Sequence, residues 1–169
     1  MKRIFAAAFF AFVLSAMPSH AATLTWNLVG VTFDDGATAS GSFDYDADTD
    51  TYSAWDIDVT PGILSAYNYL PGVDSGFVGI HSAGQVDFVA FPPNTSGRYI
   101  RLVFDGALSN AGGTLDLLTA NESWECGNCN PMRFIREGQV SSQQVPEPAT
   151  IVLLSSSLLL AGLYRRRNQ

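Results

Sequence analysis

Four aspartates at alternate positions have a spacing that could bind a metal ion: Asp44, Asp46, Asp48 and Asp50. Clustered carboxylates suit calcium, which takes roughly six to eight oxygen ligands. An EF-hand is excluded, because its sixth and twelfth loop positions would here be Thr49 and Trp55 instead of glycine and a bidentate acid. The pattern leaves two alternatives open, a weak calcium site in this turn or a solvated acidic turn.

The chain has two cysteines, Cys126 and Cys129, separated by a Gly-Asn dipeptide. A zinc site would need two further ligands, and a thioredoxin-like redox pair would need a βαβ context that the sequence lacks. In an oxidising compartment this spacing predicts a local disulfide that rigidifies the turn before a strand beginning at Met132. A redox or metal role is the alternative.

Residues 22–145, which lie between two unusual terminal segments, contain no lysine and one histidine, His81. Lysine-based chemistry is therefore excluded, and a catalytic triad would depend on a histidine in a glycine-rich loop context. No nucleophile elbow, phosphate loop or HExxH motif is present. We predict no catalytic residue, no cofactor other than calcium and no metal site beyond that acidic turn. Hydrolysis of glycosidic bonds by two of the many acidic residues is an alternative that the sequence leaves open.

The charge of these residues is strongly negative, because four arginines face fifteen acids and leave a net charge of about −11. Such a surface repels phosphate backbones, so nucleic acid is excluded as a partner.

The N-terminus has the three parts of a secretory signal peptide. Lys2 and Arg3 precede an apolar run over residues 4–14, and an A-x-A-like cleavage site with small residues at positions 19 and 21 follows. The run is shorter than the roughly 20 residues of a membrane span. We predict cleavage between Ala21 and Ala22 or one residue later, and hence passage through the secretion machinery.

A second apolar segment, residues 149–164, lies near the C-terminus. As a helix it would be about 24 Å long, enough to cross a membrane with local thinning. Three arginines follow it and would hold that end on the cytoplasmic side: Arg165, Arg166 and Arg167. A proline-rich tripeptide precedes it: Pro146, Glu147 and Pro148. The two prolines keep this tripeptide extended, which suits recognition by a protease.

The tripeptide, the apolar helix and the basic end together resemble the C-terminal sorting signal of PEP-CTERM proteins, exported proteins of Gram-negative bacteria. The resemblance covers about 25 residues, 145–169. It implies that Pro146, Glu147 and Pro148 are recognised by an exosortase, a membrane transpeptidase, which removes the helix and passes the protein to the cell surface. An ordinary single-pass anchor is the alternative.

Alternation of apolar and polar residues dominates between the two ends and predicts an all-β fold. Eight segments alternate or are rich in strand-forming residues, with Gly, Pro, Asn and Asp turns between them: 24–28, 39–45, 55–59, 77–80, 86–89, 99–104, 114–118 and 132–140. We expect an antiparallel β-sandwich over residues 22–144, with a jelly roll among the alternatives. The predicted core contains Trp26, Trp55, Phe88, Phe104 and Leu117.

The clearest local unit is a β-hairpin from Gly41 to Val59 with its turn at residues 46–51. Its "G-S-F-x-Y-D … Y-S-x-W-x-I-x-V" pattern resembles hairpins of exported PEP-CTERM proteins, which implies a shared scaffold and no activity.

Taken together, the sequence predicts a non-enzymatic protein of the cell surface or extracellular matrix, held in the membrane by its C-terminal helix before sorting. The competing hypothesis is a module that binds extracellular polysaccharide, helped by calcium, through exposed aromatic residues such as Tyr67 and Tyr69. A secreted glycoside hydrolase is the third alternative.

Overall fold

The structure is a computed structural model that describes residues 23–93 and 97–143. Ten β-strands were found there: β1 Leu24–Phe33, β2 Thr38–Asp46, β3 Thr51–Val59, β4 Tyr67–Tyr69, β5 Phe77–Ser82, β6 Gln85–Ala90, β7 Arg98–Val103, β8 Gly113–Asp116, β9 Trp124–Gly127 and β10 Met132–Ser142. No α-helix occurs in this part of the chain, and thus none that is long and apolar enough to cross a membrane. The predicted all-β antiparallel fold is confirmed.

All the strands belong to one antiparallel sheet that curls so that its halves face each other. The order is β4-β3-β2-β1-β10-β9-β7-β6-β5, and β8 pairs with β10. Strand β10 joins the halves: β1 pairs along one edge, and β9 and then β8 pair along the other. We expected two separate sheets, but hydrogen bonding continues through β10, so the sandwich-like packing arises within one sheet.

The core lies between the two halves and contains the five residues that the alternation predicted, all buried. Aromatic rings join one half to the other: the Phe43 ring centre lies 5.8 Å from that of Phe88, and Trp55 lies 5.5 Å from Phe88. The Tyr52 hydroxyl also donates a hydrogen bond to the Ser82 carbonyl at 2.7 Å. Burial of each large apolar side chain contributes on the order of 2 kcal/mol.

The predicted hairpin is confirmed. Strands β2 and β3 pair from Asp46 opposite Thr51 to Ala39 opposite Val59, with a turn at residues 47–50.

The two outer faces of the sheet differ in chemistry. The face formed by β1 to β3, β8 and β10 carries a row of directly opposed polar residues: Asp56, Ser42, Asn27, Ser141 and Thr114. The face formed by β5, β6, β7 and β9 carries aromatic and aliphatic residues around an ion pair between Asp87 and Arg101: Phe77, Val89, Tyr99 and Trp124.

Strands β4 and β9 were not predicted. Strand β4 has three residues, too few for alternation to stand out, and β9 places a charged Glu125 on the core side opposite Ile100. An acidic residue in an alternating pattern is predicted to face solvent. The Glu125 side chain faces the core instead, because its hydrogen-bond partners are buried there.

The strand ends define two ends of the molecule. Leu24 lies opposite Tyr45 and Asn27 opposite Ser141, so the described chain begins and finishes near the acidic turn of residues 47–50. We call this the tail end. At the other end lie residues 34–37, 60–66 and 128–131, which connect the opposite ends of the same strands.

Candidate functional site

Several predicted functional residues lie outside the described part of the chain. They are Ala21, Ala22, Pro146, Glu147, Pro148, Arg165, Arg166 and Arg167. Their roles stay predictions.

Three of the four aspartate carboxylates at the hairpin turn accept hydrogen bonds, each from a different group. Asp44 accepts a hydrogen bond from the Thr25 hydroxyl at 2.6 Å, and Asp50 accepts one from the Tyr45 hydroxyl at 2.9 Å. Asp46 accepts one from the backbone N–H of Asp48 at 2.9 Å. Across residues 23–93 and 97–143, no group of three or more Asp, Glu, His or Cys side chains is arranged to hold a metal ion. Calcium binding at this turn stays an untested prediction.

The predicted disulfide is confirmed. Cys126, at the buried end of β9, is bonded to Cys129, and their Cα atoms lie 4.5 Å apart. The bond closes the turn that leads into β10, as the spacing predicted.

A fully buried carboxylate, Glu125, lies between two arginine side chains. Arg98 Nη2 donates to its Oε1 atom, and Arg133 Nε donates to Oε2 at 2.6 Å. Arg133 also donates from Nη1 to Asp35 Oδ2 at 3.1 Å. The Tyr69 hydroxyl adds a hydrogen bond to Glu125 at 3.0 Å. The two cations and two anions neutralise each other, as buried charges require.

We call Asp35, Arg98, Glu125 and Arg133 the ion network. It links three strands, β7, β9 and β10, to the loop between β1 and β2. Arg133 further donates to the Thr60 carbonyl at 3.3 Å, which ties in the loop after β3. Both halves of the sheet are therefore joined at the end opposite the tail end.

Arg98 is held on several sides. Both of its terminal nitrogens donate to the Ser65 carbonyl, at 3.2 and 3.1 Å, and Nη1 also lies 3.2 Å from the Ser65 hydroxyl. Its guanidinium carbon lies 5.2 Å from the centre of the Tyr67 ring. Burial alone would lower the pKa of Arg98, but the hydrogen bond and charge of Glu125 raise it. Its buried Nε atom has no hydrogen-bond partner among the described residues.

A cleft of about 320 Å³ opens beside Arg98. We call it the end cleft. Its lining presents apolar and polar surface in comparable amounts and, among the described residues, holds no carboxylate: Ile63, Leu64, Ser65, Tyr67, Pro92, Arg98, Gly127, Asn130 and Pro131. Its volume is at the lower end of the range for small-molecule sites. Three of its residues lie in or next to the turn that the disulfide closes.

The sequence hypothesis of two exposed tyrosines is wrong. Tyr69 is buried beneath the ion network, and Tyr67 is half-buried, with its hydroxyl donating to Asp74 at 3.0 Å. Burial and the Asp74 charge raise the pKa of Tyr67 to about 12. Strand β4 causes this arrangement, because its pairing with β3 turns Tyr69 into the core.

A different aromatic pair is exposed. Phe77 and Phe91 are 46% and 47% exposed. Their rings stack with centres 6.1 Å apart, and Tyr99 packs edge-on against Phe91 at 6.0 Å. Neither phenylalanine lines the end cleft, but Phe91 directly precedes Pro92, which does.

Comparisons with protein-family models, curated proteins and solved structures gave no match. The candidate site therefore follows from its own geometry. Sequence reasoning missed the ion network, although one signal was present. Arg98 shares the core-facing positions of β7 with Ile100 and Leu102, and Arg133 shares those of β10 with Ile135. A charged residue in phase with core residues indicates a buried ion pair.

The carboxylate of Asp35 makes stability dependent on pH. Burial would raise its pKa, but hydrogen bonds from the backbone N–H groups of Ile63 and Ala37 and from Arg133 lower it below 3.8 overall. The contribution of the Asp35 carboxylate to the free energy of unfolding is therefore complete above about pH 4 and is lost as pH falls through the lowered pKa. We expect Asp35→Asn to reduce the free energy of unfolding by about 1 to 3 kcal/mol at pH 7.

Urea unfolding at pH 7 and pH 3 measures this dependence. We expect the difference in the free energy of unfolding between wild type and Asp35→Asn to be smaller at pH 3 than at pH 7. Asp48→Asn, in the exposed turn, is the control and is expected to be nearly as stable as the wild type at pH 7. A difference that is unchanged at pH 3 would contradict the assignment.

Proposed function

We propose that this chain is a non-enzymatic, exported protein of the bacterial cell surface or extracellular matrix, sorted through a PEP-CTERM tail. Its sequence supports the proposal through the N-terminal signal and through the order of tripeptide, apolar segment and arginines. The single structural observation that supports it is where the folded body finishes. Strand β10 ends at Ser142, and Pro146 follows after three residues, 143–145.

This short spacer has a mechanical consequence. Three extended residues span at most about 11 Å, so the tripeptide would reach a membrane enzyme while the domain stays folded above it. Strand β10 is held by β1 on one edge and by β8 on the other up to Ser142. Cleavage after residue 145 would therefore leave every strand intact.

The experiment is intact mass spectrometry of the protein recovered from the surface and medium of its native host. We expect the wild type to end near Val145 or Pro146 and Glu147→Ala to keep its tail in the membrane. Glu122→Ala, in an exposed turn, is the matched control and is expected to match the wild type. If wild type and Glu147→Ala both keep Arg165, Arg166 and Arg167, the tail is a plain anchor and the sorting proposal fails.

A second candidate function is carbohydrate binding by the body of the protein. The observations that favour it are the half-exposed stacked pair, Phe77 and Phe91, and the end cleft, whose lining residue Pro92 directly follows Phe91 in the chain. Exposed aromatic residues and a concave surface with a few placed polar groups are features of ligand sites. The cleft lies opposite the tail end, so a tethered domain would direct it away from the membrane.

A further inference from the structure

We propose that the end cleft binds one ring of a neutral oligosaccharide and that the Phe77 and Phe91 rings contact the next ring. The inference rests on the second candidate function and names its site and ligand class.

The first step is the rigidity of the cleft floor. Arg98 is 7% exposed and is held by Glu125, by Ser65 and by the Tyr67 ring. The wall of residues 127–131 is closed by the Cys126–Cys129 disulfide. A surface fixed before binding loses little conformational entropy when a ligand arrives.

The second step is charge. Arg98 is the one charged residue in the lining that the structure describes, and Glu125 already neutralises it. The body as a whole carries about eleven negative charges, which repel a polyanion. The cleft therefore selects against uronic acids, phosphates and sulfates and favours an uncharged ligand.

The third step is the mixture of surfaces. Ile63, Pro92 and Pro131 offer apolar walls, while the Ser65 hydroxyl and the Asn130 amide offer both donors and acceptors. A pyranose has apolar C–H faces and hydroxyl groups at its edges, so it matches both kinds of surface at once.

The test uses the protein as it is recovered from its host, with or without its tail, probed with neutral hexasaccharides of glucose, mannose and galactose and with hexasaccharides of uronic acids. Binding is measured by titration calorimetry. We expect at least one neutral hexasaccharide to bind, and Ile63→Ser to weaken that binding about tenfold by removing an apolar wall. Ile80→Ser is the matched control, since Ile80 is 60% exposed against 53% for Ile63 but lies outside the cleft lining. It is expected to bind as the wild type does.

A second variant, Phe91→Ala, tests the proposal independently if Ile63→Ser does not fold. It is expected to weaken binding of the hexasaccharide but not of the matching monosaccharide. The proposal is overturned if no neutral hexasaccharide binds, if only uronic acids bind, or if Ile63→Ser binds as tightly as Ile80→Ser. Tail processing is read from the mass of the same samples, so failure of this proposal is distinguishable from failure of the sorting proposal.

Discussion

Glu125→Ala is expected to lower the free energy of unfolding by about 3 to 5 kcal/mol. Glu125 is fully buried, and its two carboxylate oxygens are bonded to Arg98 and Arg133, which are 7% and 0% exposed. Removing it leaves two guanidinium groups close together in the interior with Asp35 as the remaining carboxylate of the network. Desolvation of an unpaired charge is the dominant penalty.

Chemical denaturation at pH 7 measures this loss. Glu122→Ala is the matched control, because Glu122 lies three residues earlier in an exposed turn, and its effect is expected to stay within about 0.5 kcal/mol. Glu125→Gln keeps the shape and some hydrogen bonds while removing the charge, so we expect it to fall between the two. A Glu125→Ala protein as stable as the control would show that the two arginines find other partners or reach water.

Gly41→Ala is expected to cost at least about 3 kcal/mol of stability. Gly41 lies within β2, opposite Leu28 of β1 and Ile57 of β3, with φ at +122°. A Cβ atom there would lie 1.9 Å from the backbone oxygen of Asp56. Strand β3 would have to move away from β2, which disrupts the pairing of the central hairpin.

Gly113→Ala is the control that separates this contact from backbone strain alone. Gly113 has nearly the same φ as Gly41, +126°, but a Cβ there meets no atom within 4 Å. Its cost is therefore that of backbone strain alone, about 1 to 3 kcal/mol. Equal losses for the two variants in thermal unfolding would mean that the strands yield easily and that the Asp56 contact adds nothing.

The ion network and the end cleft also show how the sheet positions a site. Strands β7, β9 and β10 each bring one charged residue to the same end, and the loops after β1 and β3 add Asp35 and the Thr60 carbonyl. The same end carries the disulfide-closed turn, so a stable floor and wall coincide with the concave surface.

Features that depend on local order along the chain were predictable from the sequence. Alternation identified eight of the strands and five core residues, because the two faces of a strand differ in burial at every second position. The hairpin turn and the disulfide followed from turn residues and from the spacing of Cys126 and Cys129. The terminal signals are likewise local patterns, and they stay predictions.

Tertiary structure alone decided how these elements meet. The Asp35–Arg133 ion pair joins residues 98 positions apart, and Tyr69 reaches Glu125 across 56 positions. Period-two alternation states which face a side chain occupies but not which residue lies opposite it. For that reason the phase of Arg98 with core residues could signal a buried ion pair, but the partners of Arg98, Glu125 and Tyr69 were beyond sequence reasoning. Each side chain is stable in the interior only because a residue distant in the chain satisfies its polar group.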